Sequence, residues 1–466
     1  MSRTVFLATT SLESPPDSEM PVVFLGPWCE RYESPGAKRK IEADRMPSPF
    51  ADSDSVDAAY RECRKVFEAV LPSVGRALNG IHGTDHQDRY WRILVGPWLQ
   101  FFIFVVYDRF VHLAMARKLY PGFTTLGLDS SSFVTPKDSL DFIFQIKSDR
   151  YNLQLYTQIL QHAGIEFPVR VIAGAPDTWA EMLARVPVWR RWARGITSLW
   201  QQAAAKSGGT VGLYRSYFPA RTAWSFVAKS PRRIVPILLP RVDFSDLKVN
   251  GSLREALTGT RIQGEFGSVL GRLIASHMPI AYVEGYRRLT SSVDKTPKPT
   301  TIFSANGWHY DEPFKAWSGA AAQGSRLVGT NHGANYGSHV HVFGEDHELS
   351  IVDRYYSWGW SRSDFREKIV PFWSTKMAGR SKASTARSGI LWAATIYPRY
   401  LTQFPEIPVH FEAYLSWQLR FLSALGSDLA HVRFRPHRED AGWGVEARVR
   451  AAFPSIRVER WDDPFE

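Results

Sequence analysis

TIFSANGWHYDEPFKAWSGAAAQGSRLVGTNHGANYGSHVHVFGEDHE, residues 301–348, decides how the chain is read. Thr301-Ile302-Phe303-Ser304 is a short apolar run that breaks into Asn306-Gly307-Trp308-His309, the pattern of a buried strand ending in a loop. Glu312 to Gln323 carries helical periodicity, and Arg326-Leu327-Val328 begins a second strand. Such a strand–helix–strand unit places both loops on the carboxyl edge of one parallel sheet, where α/β proteins bind ligands. The second loop, Gly329 to Glu348, concentrates glycine, histidine and carboxylate. Gly333 and Gly337 permit φ > 0 and close main-chain approach to a ligand. His332 offers the side chain best matched to proton transfer near neutral pH. Glu345, Asp346 and Glu348 supply carboxylates to orient it or to bind hydroxyls.

Outward from this unit the same alternation continues. Thr4 to Ala8 and Val22 to Leu25 read as buried strands, and Ser34 to Asp54 as an exposed loop. Helices are expected over Val56–Leu78 and Tyr90–Leu119, separated by the loop Gly80-Ile81-His82-Gly83-Thr84-Asp85-His86 that leads to Arg89. Thr135 and Pro136 read as the cap and first residue of another helix. A helix is also expected over Trp179 to Ala205, a stretch rich in Trp and Arg. Strands are expected at Val211–Ser216, Ile234–Leu239 and Asp353–Trp360, and a helix over Gly264–Ser276. Lys376 to Ser388 has a linker's composition. Beyond it, strands at Gly389–Thr395, His431–Phe434 and Ile456–Val458 alternate with helices at Val409–Leu425 and Trp443–Ala452. The expected organisation is therefore a helix-rich α/β domain over 1–375, a linker over 376–388, and half of a doubly wound domain over 389–466.

Composition narrows the class. The 466 residues exceed one compact core. A net charge of +11 favours anionic partners such as phosphate, nucleotide or an anionic membrane face. Basic residues are scattered among acidic ones without zinc-finger spacing, an RNP signature or a dense basic tract, so nucleic acid is not an expected partner. Two cysteines, Cys29 and Cys63, fit a reducing cytoplasm. The most apolar stretch, Ile93 to Tyr107, falls short of the ~20 residues that span a bilayer and reads as a buried helix.

Other constellations carry weaker chemistry. Arg435-Pro436-His437-Arg438 follows a strand and suits either a phosphate or a solvated basic turn. His82, His86 and Arg89 could reach an acceptor across a cleft or serve the following helix. His339 and His341 would share one face of a strand, yet nothing completes a metal site around them. No nucleophile elbow, Walker phosphate loop or HExxH pair occurs. Cys29 reads as packing.

FLATTSLE (from Phe6), VVFLGPWC (from Val22), IHGTDHQDRYWRILVGPWL (from Ile81), FVTPKDSLDF (from Phe133), YNLQLY (from Tyr151) and GTNHGANYGSHVHVFGEDHE together resemble a bacterial surface-carbohydrate family. It is the transferase family encoded in O-antigen and other surface-polysaccharide loci. The resemblance implies a GT-B-like α/β enzyme, two Rossmann-type domains facing across a cleft, with no bound metal or cofactor. The loop is also similar to one in CDP-glycerol glycerophosphotransferases and Kdo capsule transferases. By that similarity His332 lies at the reaction centre and Arg435 and His437 near donor phosphates. Asn331 and Ala334 stand where relatives carry glutamine and glycine. Similar proteins continue past the segment matching Trp461 to Phe465, so a truncated C-terminal domain is expected.

The sequence thus leads to a cytoplasmic transferase, peripheral to the inner membrane, that moves a sugar from a nucleotide-activated co-substrate to a glycan or lipid-linked acceptor. His332 is the expected base, with Glu345 or Asp346 orienting it or binding the acceptor. Asn331, Gly333, Asn335, Tyr336, Arg435, His437 and Arg438 form the expected donor side, and His82, His86, Arg89 and His309 the acceptor side. A polyol-phosphate transferase and a non-catalytic binding relative remain the alternatives.

Overall fold

A computed structural model describes residues 4–17, 19–32, 42–172, 210–230, 233–259, 263–333, 335–379 and 389–463. The helix expected over Trp179–Ala205 and most of the 376–388 linker lie outside them. The described strands, in chain order, are β1 (Phe6–Ala8), β2 (Val22–Phe24), β3 (Ala43–Arg45), β4 (Gly127–Leu128), β5 (Val169–Arg170), β6 (Val211–Tyr214) and β7 (Ile234–Pro236). They continue with β8 (Thr301–Ser304), β9 (Arg326–Thr330), β10 (Arg354–Ser357), β11 (Ile369–Pro371), β12 (Ile390–Ala393), β13 (Val432–Arg435) and β14 (Arg457–Val458). Every described pairing between them is parallel. The protein is mixed α/β.

The sheet that carries the histidine loop has the order β11-β10-β9-β8-β6-β7. From β6 the chain steps outward to β7, then returns to the other side of β6 and proceeds stepwise through β8 to β11. That reversal is a topological switch point between β6 and β8, and the carboxyl ends of strands beside such a point form a crevice. The first strands do not join this sheet. β1, β2 and β3 form their own three-stranded sheet, bridged from Phe6 to Thr124, and β4 and β5 pair separately.

The helix Gly96–Leu119 is packed among other helices, and its apolar residues surround it on every side. Periodicity distinguishes no face because almost no face meets water; it is long and apolar enough to cross a membrane, but 72% of its most apolar window is buried within the protein. The continuous helix expected over Tyr90–Leu119 is two, Asp88–Leu94 and Gly96–Leu119. Pro97 has no N–H for the Ile93 carbonyl and its ring crowds that turn, so the chain restarts there. The helix expected at Thr135 begins instead at Ser139, capped by Asp138, which accepts from the Asp141 N–H at 2.8 Å. Thr135, before a proline and so biased from helical angles, gives its hydroxyl to the Ser276 carbonyl.

β12, β13 and β14 form the three-stranded sheet expected of the C-terminal segment, in sequential order, with helices Phe411–Ala424 and Val445–Ala452 between them. Leu422, Val432, Phe434, Val449 and Ile456 make a separate small core. Tyr400, Leu401, Phe404 and Ile407, just after β12, belong to the main core instead. Buried Asp149 ties the segments together: its carboxylate accepts from Tyr400 at 2.5 Å, from Arg31 at 2.5 Å and from Arg399. Burial alone would raise Asp149, but Arg399, Tyr400 and Arg31 hold it below its usual value.

Candidate functional site

Three elements at the carboxyl edge of the six-stranded sheet meet at one oxygen atom. β8 ends in the short helix Gly307–Tyr310, which carries His309. β9 ends at Thr330 and delivers Asn331 and His332. The helix Phe343–Ile351 carries Glu348, wholly buried. His309 Nε2 lies 2.7 Å and His332 Nε2 2.8 Å from Glu348 Oε1, and the Tyr336 hydroxyl donates to the same oxygen at 3.1 Å. Burial by itself would raise the Glu348 carboxyl, but the two imidazoles hold it below the usual carboxylate range. With both Nε2 atoms turned to the carboxylate, each ring presents Nδ1 as its other nitrogen. His332 is the more accessible, its side chain 17% exposed against 9% for His309. A carboxylate that fixes one imidazole nitrogen sets the tautomer and steadies the imidazolium formed when the other takes a proton. His347, one residue before Glu348, is held far down by burial and the neighbouring His309 charge, and is neutral packing.

The carboxylate on His332 is therefore Glu348 and neither Glu345 nor Asp346, the partners favoured by sequence. Glu345 accepts from the Gly337 N–H at 2.6 Å and from Arg362 at 2.7 Å. Asp346 accepts from the same Arg362 nitrogen at 2.7 Å and from the Tyr60 hydroxyl at 2.7 Å. Both shape the loop from behind. Of the two glycines, Gly337 has φ +74°, and an added Cβ would lie 2.3 Å from the Trp360 ring. Gly333 has no positive φ, and an added Cβ would meet nothing within 4 Å. Gly337→Ala is thus expected to destabilise the protein by about 2 kcal/mol or more, through strain and overpacking. Gly333→Ala should leave the urea midpoint where it is. Equal midpoints for the two variants would contradict this account of the loop.

The remaining sequence candidates fall in different places. Asn331 is buried beside His332 with its Oδ1 unpartnered, and Asn335 uses its carbonyl to accept the Ser338 and His339 N–H groups of a turn. His339 and His341 lie in that loop and not on a strand; His341 pairs with Asp57 at 3.1 Å and packs on Tyr60. His82 bonds to the Tyr282 carbonyl at 2.9 Å and stacks on Tyr286, while His86 stacks on Tyr90. Arg89 bonds to the Ile351 carbonyl and to Asp353, which precedes β10. Arg89 is thus anchored at the amino edge of the sheet, opposite His332, and His82 and His86 pack around that helix start. At the end of β13, buried Arg435 turns back onto Glu459 at 2.7 Å. His437 and Arg438 are exposed there, with Arg438 over the Trp461 ring.

Sequence reasoning missed a group beside His332 at the end of β6. Tyr217 approaches the His332 ring at 6.1 Å between centroids, and its hydroxyl accepts from Asn306 Nδ2 at 2.5 Å. No motif marks Tyr217; only the strand order brings β6 against β8. Among the described residues, His309, His332 and Glu348 are also the set of His, Cys, Asp and Glu ligand atoms that lie within 4.8 Å of one another. Their types suit a divalent cation, although each Nε2 is already engaged by Oε1.

A family model described as LIC12162 family transferase matches residues 5–466. No curated protein and no solved structure matches the chain.

Proposed function

We propose, from the premise that this chain belongs to the LIC12162 family of transferases, that it transfers a glycosyl group from a nucleotide-activated sugar to a hydroxyl of a glycan or lipid-linked acceptor. The observation that carries the reading is His332 bonded to the buried Glu348 carboxylate at the carboxyl edge of a parallel sheet. His332 Nδ1 takes the acceptor proton as the hydroxyl oxygen bonds to the anomeric carbon. The anomeric carbon–oxygen bond to phosphate breaks, and the nucleotide leaves with the electron pair. Glu348, accepting from Nε2, steadies the resulting imidazolium, a contribution of roughly 10²–10⁴-fold for a placed base. Leaving-group charge needs preorganised donors, for which the β13 end offers His437 and Arg438, with Arg435 positioned behind them by Glu459. The six-stranded sheet and the β12–β14 sheet are the two units that a GT-B-like cleft would set face to face. The surface-polysaccharide setting and peripheral contact with an anionic inner-membrane face rest on the segment resemblance and the +11 charge.

Calorimetric titration with UDP-, CMP- and CDP-linked sugars, followed by nucleotide release in the presence of acceptor glycolipid, tests this reading. Binding of at least one sugar donor is expected. Saturation by CDP-glycerol alone would move the assignment to polyol-phosphate transfer, and no nucleotide binding at millimolar concentration would end it.

A further inference from the structure

The switch point between β6 and β8 holds a second set of groups that the base assignment does not use. Arg215 and Tyr217, immediately after β6, have φ of +41° and +60°, left-handed angles that side chains other than glycine rarely adopt. Strain of this kind clusters at ligand sites. The Arg215 side chain remains 54% exposed while pairing with Asp311 at 2.8 Å. Asp311 is shared: it also accepts from the Tyr214 hydroxyl and caps the helix Glu312–Ala321 through the Phe314 N–H. Lys376, on the turn after β11, sits 4.7 Å from the Tyr217 ring centroid, and no described carboxylate pairs with it. Tyr217 accepts from Asn306, so its own O–H is left to donate elsewhere. Asn306, at the end of β8 and bonded to Tyr217, has a buried Oδ1 without a partner, and so has Asn331, beside His332 at the end of β9.

We propose that Arg215, Tyr217 and Lys376 form a seat for a negatively charged group, phosphate or carboxylate, on the substrate that His332 deprotonates. Arg215 shares its one carboxylate, Asp311, with Tyr214 and a helix cap, and Lys376 lies over the Tyr217 ring, while Glu348 is enclosed by three donors of its own. The buried amide oxygens of Asn306 and Asn331 accept from neighbouring hydroxyls of the same molecule. The acceptor is therefore an acidic, polyhydroxylated compound rather than a neutral sugar. This rests on the transferase reading above for His332, but the seat itself does not depend on which donor is used.

Inorganic phosphate and acetate, titrated at constant ionic strength and followed by ³¹P and ¹³C NMR line broadening, probe the seat directly. Saturable broadening is expected for at least one of them, phosphate marking a phosphorylated substrate and acetate a carboxylated one. Lys376→Gln, at an exposed position, should weaken that binding about tenfold, while Lys248→Gln, on a distant surface loop, should leave it unchanged. Absence of saturable binding, or equal affinity in Lys376→Gln and the wild type, overturns the proposal. Nucleotide-donor calorimetry on the same variants separates the two readings. Donor binding without an anion seat sinks only the seat, and a seat without donor binding sinks only the glycosyl-transfer assignment.

Discussion

His332→Ala protein should fold as the wild type does and lose transfer by roughly 10²–10⁴-fold, the usual contribution of a positioned base. The fold should survive because Glu348 keeps two donors, the His309 imidazole and the Tyr336 hydroxyl, when His332 is removed. The vacated space lies at the partly exposed end of the cluster, so neither a closed cavity nor an orphaned charge results. The loss should appear in kcat with the donor KM unchanged, because His332 is assigned to the proton of the acceptor hydroxyl and not to the donor phosphates. His309→Ala discriminates. His309 sits on the same carboxylate but deeper, so its removal should lower activity less and stability more. Full activity in His332→Ala with a collapse in His309→Ala would transfer the role of base from one imidazole to the other.

The framework of this site is legible in the sequence to the extent that it is local. Thr301–Ser304 and Arg326–Thr330 are strands because short apolar runs between helix and loop have nowhere else to bury themselves, and the parallel unit they form fixes the edge on which His309 and His332 emerge. The choice among Glu345, Asp346 and Glu348 is different. These residues lie within one turn, and which of them faces the strand ends depends on the rotation of the helix Phe343–Ile351. That helix has no side-chain cap at Val342, so no residue marks its start or sets its phase in the sequence. Packing of Phe343 against Phe101 and Phe104 of the buried helix sets it instead.

Longer-range facts are less legible still. Arg435 reads correctly as a residue at a strand's end, but its counter-charge, Glu459, comes from beyond the next helix. His82, His86 and Arg89 have the composition of a binding loop and pack at the amino edge of the sheet, since alternation of strand and helix does not say which edge an outside helical hairpin covers. Tyr217 and Arg215 acquire meaning only through strand order, which places β6 beside β8 although some 90 residues separate Tyr214 from Ser304.

Glu348→Gln is the sharper test of the electrostatic arrangement. The amide keeps the volume of the carboxylate and one acceptor oxygen, so packing is preserved while the charge that fixes both imidazoles is lost. Activity should fall by roughly two orders of magnitude, as for loss of preorganised electrostatic support, and stability at pH 7 by about 2 kcal/mol for charge-assisted hydrogen bonds made neutral. The pH dependence gives the sign. Glu348 is held below the ordinary carboxyl value of 4.5 in the folded protein. Its ionised form therefore contributes stability fully above that value, and the contribution disappears as pH falls through the lower folded value. The gap in urea midpoint between wild type and Glu348→Gln should be present at pH 7 and should narrow as the solution is made more acid than about pH 5. A gap that widened below pH 5 would mean that Glu348 is protonated in the folded protein. In that state it would donate a hydrogen bond to one imidazole instead of accepting from both, and His332 would lose the anion that makes it a base.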